Sequence, residues 1–190
     1  MGKKLFITGI PTGGKSYLAK KIAEKINGVY VSLDDMRDEL AKQEKYKKWV
    51  NFYRDKDEYE YYTKTTPQDQ WQNLVNQAEG MWKGVLEKIS QYQKEERCVI
   101  FEGVNILPHL AHKDLSMPGI CIIGRSEKEI FERIKIEHRW GSIEELQKME
   151  AKEFFNVQRP RYKEEAEKYG YKVFNTADDA WGYALEILNK

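Results

Sequence analysis

The feature that most constrains the fold is a glycine-rich segment at positions 9–16, G-I-P-T-G-G-K-S, which directly follows the apolar run 5–7. The segment matches G-x-x-x-x-G-K-S, a pattern in which the backbone N–H groups of a tight loop converge on phosphate oxygens. Residues 17–26 then place apolar side chains at three- and four-residue spacing, which predicts an amphipathic helix. Because a strand precedes the loop and a helix follows it, the sequence predicts a phosphate-binding loop (P-loop) at 9–16.

The loop also predicts a nucleotide site with magnesium. Lys15 is expected to reach the β- and γ-phosphates, and the Ser16 hydroxyl is expected to ligate Mg2+. The residues predicted to bind the nucleotide are Gly9, Thr12, Gly13, Gly14, Lys15, Ser16 and Tyr17. The alternative, a glycine-rich turn that binds no nucleotide, is disfavoured by the strand and helix on either side.

Four further apolar runs alternate with helical patterns along the chain. They occupy positions 29–33, 99–104, 120–123 and 171–174. Together with the run before the loop, they predict a single α/β domain over 1–190 with a five-stranded parallel sheet.

Capping residues predict three of the helix starts. Thr66-Pro67 is typical of the cap and first turn of a helix, and the apolar periodicity that follows it is long. Two capping boxes, Ser126 with Glu129 and Ser142 with Glu145, predict helices after the fourth strand and after the glycine at 141.

Charge and hydropathy exclude some functions. The chain has 32 Lys and Arg residues against 31 Asp and Glu residues, a formal net charge of +1. No overall field therefore favours nucleic acid or a membrane surface, and an anionic substrate has to be met by local groups. The first strand leaves no room for a signal peptide, and no apolar stretch approaches the roughly 20 residues of a membrane-spanning helix. We expect a cytoplasmic protein.

Two carboxylates and an arginine follow the second strand. Asp34, Asp35 and Arg37 should lie at the carboxyl edge of the sheet, where ligands bind in open α/β folds. Asp34 could take the proton of an attacking hydroxyl, and Arg37 could pair with an anionic acceptor group. In the alternative interpretation, either aspartate only caps the helix that runs through Arg37.

The third strand leads into Glu102, Gly103 and Asn105. A carboxylate directly after a buried strand is placed to orient Mg2+, and Gly103 allows a ligand or the backbone to approach closely. Asn105 could contact the acceptor. In the alternative interpretations, Asn105 only forms part of a turn, and Glu102 only pairs with a neighbouring basic residue.

Two segments are expected to close over the substrate. The aromatic-rich stretch 43–66 has neither strand nor helix periodicity and predicts a small cap whose rings line the acceptor pocket, although they could merely pack a surface subdomain. Residues 133–161 are a predicted lid, near which arginines cluster. Arg133 and Arg139 are the favoured candidates to neutralise a transferring phosphoryl group; a solvated helix face is the alternative.

Three motifs together resemble those of small P-loop kinases, over almost the whole chain. The D-x-x-R spacing of Asp34 and Arg37 is similar to the acceptor-site signature of adenylyl-sulfate kinases, polynucleotide 5'-kinases and zeta-toxin-like kinases. Segment 100–108, I-F-E-G-V-N-I-L-P, resembles a run in 2-phosphoglycerate-kinase-like proteins, with Asn105 where those proteins tend to carry His. The resemblance implies the strand order 2-3-1-4-5 with helices on both faces, an ATP-Mg2+ donor, and Asp34 rather than Asp35 as the base.

The function predicted from these residues is transfer of the γ-phosphoryl group of ATP to a hydroxyl of a small anionic metabolite, with 2-phosphoglycerate as one possible type. One alternative is a kinase for nucleotide-like acceptors or nucleic-acid 5'-hydroxyls, although the near-neutral charge disfavours nucleic acid. A second alternative is a nucleotide-dependent switch or adaptor without catalysis, in which Asp34, Arg37 and Glu102 would share no purpose.

Overall fold

Five strands pair in parallel in the order β2-β3-β1-β4-β5, as seen in a computed structural model that describes residues 2–189. The strands are β1 (Lys4–Gly9), β2 (Val29–Ser32), β3 (Val99–Glu102), β4 (Gly119–Ile122) and β5 (Lys172–Phe174). The helices are α1 (Lys15–Lys25), α2 (Arg37–Ala41), α3 (Glu44–Val50), α4 (Glu58–Lys64), α5 (Pro67–Ser90), α6 (Pro108–Asp114), α7 (Glu127–Ile136), α8 (Glu144–Lys152), α9 (Arg159–Lys168) and α10 (Ala177–Asn189). A π-helical segment, Glu153–Gln158, joins α8 to α9. The predicted strand order and fold class are confirmed.

Alternate residues of β1 point into two separate hydrophobic cores. Leu5 and Ile7 pack with the buried faces of α1 and α10, whereas Phe6 packs on the other side with α5 and α9. This alternation follows from the two-residue period of a strand, and it requires an apolar helix layer on each face. The P-loop therefore lies at the centre of a three-layer domain, at the carboxyl end of the middle strand.

Two of the three predicted helix caps are present in the structure, and one is not. Thr66 and Asp69 form a reciprocal capping box at α5, and the Ser126 hydroxyl accepts a hydrogen bond from the Glu129 N–H at α7. The box predicted for Ser142 and Glu145 is wrong, because the N-cap of α8 is the next residue, Ile143, with no side-chain cap. This shift by one residue moves Glu145 from the third to the second helical position, where it cannot complete the box.

Glycines on α5 let α2 and the insert pack tightly against this helix. A Cβ atom built on Gly80 would lie 2.4 Å from the indole of Trp49, and one on Gly84 would lie 2.6 Å from a methyl group of Leu40. The aromatic-rich stretch forms two short helices, of which α3 packs against α5 and α4 packs against α8. Among residues 2–189, no helix is long and apolar enough to cross a membrane.

Candidate active site

The P-loop has the tight backbone that its glycines predict. Gly9 and Gly14 have φ angles of 125° and 101°, and Thr12 has a φ angle of 55°. A Cβ atom on Gly9 would lie 1.9 Å from the Ile122 carbonyl oxygen, so a side chain does not fit there. Close packing of β1 against β4 is therefore the reason for the first glycine of the motif.

Lys15 and Ser16 belong to the first turn of α1 rather than to the loop. The Lys15 Nζ atom donates a 2.7 Å hydrogen bond to the Ile10 carbonyl oxygen across the loop. Burial lowers the pKa of the Lys15 ammonium, and the nearby carboxylates of Glu102 and Asp34 oppose that shift. The amino group is thus held at the mouth of the loop, beside two carboxylates.

A cavity of about 500 Å3 opens above the loop and is called the loop cavity below. Five predicted nucleotide residues line it, whereas Gly9 and Gly13 do not. These five are Thr12, Gly14, Lys15, Ser16 and Tyr17. Its far wall includes Thr176 and Ala177, which follow β5, so the cavity extends along the carboxyl edge of the sheet as nucleotide sites of this architecture do.

Ser16 and Glu102 meet beneath the loop cavity. The Ser16 Oγ atom donates to Glu102 Oε1 at 3.1 Å, and the hydroxyl of Tyr30 donates to the same oxygen at 2.9 Å. The other oxygen, Oε2, is buried with no hydrogen-bond partner in the described structure, and burial raises the pKa of the Glu102 carboxyl. A hydroxyl beside an unsatisfied carboxylate oxygen suits Mg2+, which commonly takes one or two protein ligands and completes its shell with phosphates and water.

Tyr30 was not predicted as a site residue. Its contact with Glu102 depends on the pairing of β2 with β3, which sets Ser32 opposite Glu102 and Tyr30 two residues earlier on the same strand face. Within residues 2–189, no group of three His, Cys, Asp or Glu side chains is arranged as a metal site.

Asp34, Arg37 and Asn105 form one hydrogen-bonded network. An Arg37 terminal nitrogen lies 3.3 Å from Asp34 Oδ1 and donates to Asn105 Oδ1 at 2.7 Å. The Asn105 amide nitrogen donates in turn to Gln77 Oε1 at 3.2 Å, so α5 anchors the network. Asn105 lies in the turn that follows β3, as the alternative interpretation expected, and it is only 5% exposed, with its side chain joining Arg37 to Gln77.

The capping interpretation of Asp34 is not supported, because Met36 is the N-cap of α2 and no side chain caps it. Gly103 passes close to Asp34 instead. A Cβ atom on Gly103 would lie 3.5 Å from Asp34 Oδ1 and 3.2 Å from the Leu33 Cβ atom. The tight neighbour of Gly103 is thus the Leu33 side chain, whereas a Cβ atom there would make only an ordinary van der Waals contact with Asp34.

A second cavity, of about 260 Å3, lies beside this network and is called the inner cavity below. Arg37 lines it, and its Nε atom is buried without a hydrogen-bond partner in the described chain. Tyr53 and Tyr62 of the insert contribute to the wall together with Trp140. Some of the predicted aromatics thus line a pocket, whereas others, such as Tyr46, pack in the core.

Several polar residues of the inner cavity were not predicted. They are Arg54, Gln77, Glu150, Glu153 and Gln158. Burial raises the pKa of the carboxyls of Glu150 and Glu153 to about 7 each. Because the segment 144–153 contains exposed and buried glutamates alike, the sequence offers no signal that separates the two kinds.

The two favoured arginines reach the cavities differently. Arg133 lines the loop cavity and donates to the Thr12 carbonyl oxygen at 2.6 Å, whereas Arg139 lines both cavities. Arg159 instead bonds to Asn175 at 3.1 Å, and Arg161 lies on neither cavity wall. The structure therefore brings Arg133 and Arg139 to the site and leaves Arg161 outside it.

The architecture is similar to that of several solved small kinases. A shikimate kinase from Acinetobacter baumannii aligns with a TM-score of 0.57 at 10% identity over 100% of this chain and 94% of its own. A shikimate kinase from Bacteroides thetaiotaomicron gives 0.56 at 15% identity, covering 99% of both chains. The deoxyadenosine kinase of M. mycoides gives 0.51 at 15% identity, over 98% of this chain and 100% of its own.

The chain therefore has the small P-loop kinase fold. No protein-family model matches the sequence, and no curated protein matches it either. At 10% to 15% identity the likeness establishes the fold and leaves the acceptor open.

Proposed function

We propose that the protein is a kinase that transfers the γ-phosphoryl group of ATP to a hydroxyl of a small anionic metabolite. The observation that carries this proposal is the position of Asp34. Its carboxylate lines the loop cavity together with Lys15 and Ser16, and it pairs with Arg37, which lines the inner cavity. A carboxylate at the junction of a nucleotide-sized space and a metabolite-sized space is where a phosphoryl-transfer base is needed.

The loop cavity holds ATP in this proposal. The loop amides and Lys15 bind the phosphates, while Ser16 and Glu102 hold Mg2+ directly or through its water. When bound, the metal neutralises phosphate charge and fixes the orientation of the γ-phosphate. The unsatisfied oxygen of Glu102 supports this assignment.

The inner cavity holds the acceptor. Asp34 orients the acceptor hydroxyl and takes its proton as the oxygen bonds to the γ-phosphorus, and the bond from that phosphorus to the β,γ-bridging oxygen breaks to release ADP. Arg37 still has a buried N–H without a partner, which can donate to an anionic group of the acceptor. Asn105 holds the guanidinium in place for that contact.

Two segments complete the site in this proposal. The insert at 43–66 acts as the acceptor cap, because its tyrosines form part of the inner cavity wall. The segment 133–161 acts as the lid, because Arg139 lies between the two cavities and Arg133 is bonded to the P-loop. Both guanidinium groups are placed to stabilise charge on the transferring phosphoryl group and to exclude water.

The test is ADP release from Mg2+-ATP across phosphorylated acids, hydroxy acids, sugars and nucleosides, with the variant Asp34→Asn. The matched control is Asp35→Asn, which removes the neighbouring, exposed carboxylate. Stimulation by one class of acceptor that is lost in Asp34→Asn and kept in Asp35→Asn is the expected result. ATP binding without stimulation by any acceptor would favour a nucleotide-dependent switch instead.

A further inference from the structure

The inner cavity contains two buried carboxylates that the proposed phosphoryl transfer does not use. Glu150 and Glu153 are 3% and 4% exposed. In the described part of the chain, no Lys, Arg or His nitrogen lies within 4 Å of either carboxylate. Buried glutamates are rare unless they are paired, because the charge loses its hydration.

The wall around these carboxylates also has hydrogen-bond acceptors that lack donors. Glu150 Oε2 and Gln158 Oε1 are buried with no partner in residues 2–189. Gln158 is itself 3% exposed, and its Nε2 atom donates to Glu153 Oε1 at 2.9 Å. This side of the cavity therefore presents several acceptor oxygens, and one N–H of its Gln158 amide is already donated to Glu153.

The π-helical segment explains how this wall is built. Glu153 and Gln158 are five residues apart, a spacing that does not bring side chains together on an α-helix but does so across an i→i+5 turn. The hydroxyl of Tyr61, from the insert, lies 3.4 Å from Glu153 Oε1 and closes the other side. Distortions of this kind occur frequently at functional sites.

Among the described residues, no arginine of the cavity forms an ion pair with Glu150 or Glu153, and only the charge of Arg139 opposes the rise that burial causes in the pKa of Glu150. Arg37 is engaged by Asp34 at 3.3 Å, and Arg54 is engaged by Asp38 at 3.0 Å. Arg139 is the remaining cation, and it is exposed and lines both cavities. If Arg139 serves the transferring phosphoryl group, Glu150 and Glu153 need a cation from elsewhere.

We propose that the acceptor supplies this cation, and that it is a hydroxy acid that also carries a protonated amine. Its ammonium group donates hydrogen bonds to Glu150, Glu153 and the free oxygen of Gln158, while its anionic group binds the unsatisfied N–H of Arg37. The assignment rests on the proposed kinase function for the hydroxyl, and it adds the amine as the feature that selects the acceptor. A zwitterion matches a cavity with cations on one side and carboxylates on the other.

Matched pairs of compounds test this proposal, each pair differing only in an amine against a hydroxyl or hydrogen. Suitable pairs are serine and glycerate, homoserine and 4-hydroxybutyrate, and glucosaminate and gluconate. Binding is measured by calorimetry with Mg2+ and a non-hydrolysable ATP analogue, and ADP release is measured separately with ATP. We expect the amino member of at least one pair to bind at least about 10-fold more tightly, because an ammonium would pair with desolvated carboxylates.

Isosteric variants test whether Glu150 and Glu153 cause the preference for the amino member of a pair. Glu150→Gln and Glu153→Gln retain shape and an acceptor oxygen but lose the charge, so each should abolish the preference for the amino member. Glu145→Gln on the exposed side of the same helix is the control and should retain it. A polyol acceptor, held by neutral hydrogen bonds, would bind the Gln variants as well as the parent protein, and that result contradicts the proposal.

The two readouts separate this inference from the kinase proposal. Amine-dependent binding without ADP release would retain the amine subsite and overturn the kinase assignment. ADP release that does not distinguish the members of any pair would retain the kinase and overturn the amine subsite. Absence of binding by every amino member also overturns the subsite.

Discussion

At the residue scale, Lys15 is the side chain whose removal should harm turnover most directly. Its ammonium group is buried at the mouth of the P-loop, 2.7 Å from the Ile10 carbonyl oxygen. Lys15→Ala removes the positive charge nearest the expected phosphates, so we predict a loss of at least about 10-fold in kcat/KM for ATP. The exposed Lys25→Ala, at the other end of α1, is the control for ADP-release kinetics. Equal kcat/KM in the two variants would contradict the assignment.

Replacement of Asn105 should weaken binding of the acceptor and leave binding of the nucleotide unchanged. Asn105→Leu preserves the volume but removes the 2.7 Å hydrogen bond from Arg37 and the link to Gln77. A hydrogen bond to a charged group contributes about 1.5–3 kcal/mol, so the KM for the acceptor should rise by about 10-fold or more.

The KM for ATP should stay unchanged in this variant, because Asn105 lines neither cavity and touches Arg37 rather than the loop. Steady-state kinetics with each substrate varied in turn gives both constants. A rise in the KM for ATP alone would place Asn105 in a different role.

Sequence reasoning reached those site residues that follow from local spacing. Asp34 and Arg37 are three residues apart, and their contact at 3.3 Å is the one that this spacing allows. Tyr30 and Gln77 were missed because their partners lie 72 and 28 positions away in the chain. These two contacts depend on strand pairing and helix packing, and no period or motif in the sequence predicts them.

At the element scale, Gly80 of α5 leaves the space in which the Trp49 side chain packs against this helix. A Cβ atom on Gly80 would clash with the Trp49 indole at 2.4 Å, so Gly80→Ala should displace the insert and lower the free energy of unfolding by about 1–3 kcal/mol. Gly182→Ala on α10 is the matched control, because no atom lies within 4 Å of the added methyl group.

The control should raise the free energy of unfolding by about 0.5–1 kcal/mol, since alanine loses less backbone entropy than glycine in a helix. Urea denaturation of both variants measures the two changes. Equal stabilisation by both would mean that Trp49 does not pack on Gly80.

The π-helical segment gives the second prediction at this scale. Burial raises the pKa of the Glu153 carboxyl in the folded protein to about 7, above its ordinary value of 4.5. The folded state therefore binds more protons than the unfolded state between these values, and this carboxyl lowers stability as pH rises through about 7.

Glu153→Gln should for this reason raise the free energy of unfolding by at least about 1 kcal/mol at pH 8 and change it little near pH 4.5. The groups that face this carboxyl are Glu150, Gln158, Tyr53, Tyr61 and Tyr62. Exposed Glu24→Gln is the control, with no change expected at either pH. Thermal unfolding measured at pH 4.5 and pH 8 tests this prediction. An equal gain in the free energy of unfolding at both pH values would mean that the raised pKa of Glu153 is not the cause.

At the scale of the whole molecule, the alternation of apolar runs with helical patterns was enough to predict a parallel α/β domain. The strand order 2-3-1-4-5 came from the resemblance to small P-loop kinases, and the structure confirms it. The inner cavity was beyond sequence reasoning, because its walls come from α2, the insert, α5 and the lid, which are far apart in the chain.

Phosphorus NMR of a reaction with Mg2+-ATP and the acceptor most effective in ADP release tests the central claim most directly. The account predicts that a phosphomonoester signal of the acceptor grows as the γ-phosphate signal of ATP declines, at a rate much reduced in Asp34→Asn. Growth of inorganic phosphate alone, or of a phosphomonoester at the same rate in Asp34→Asn, would contradict it.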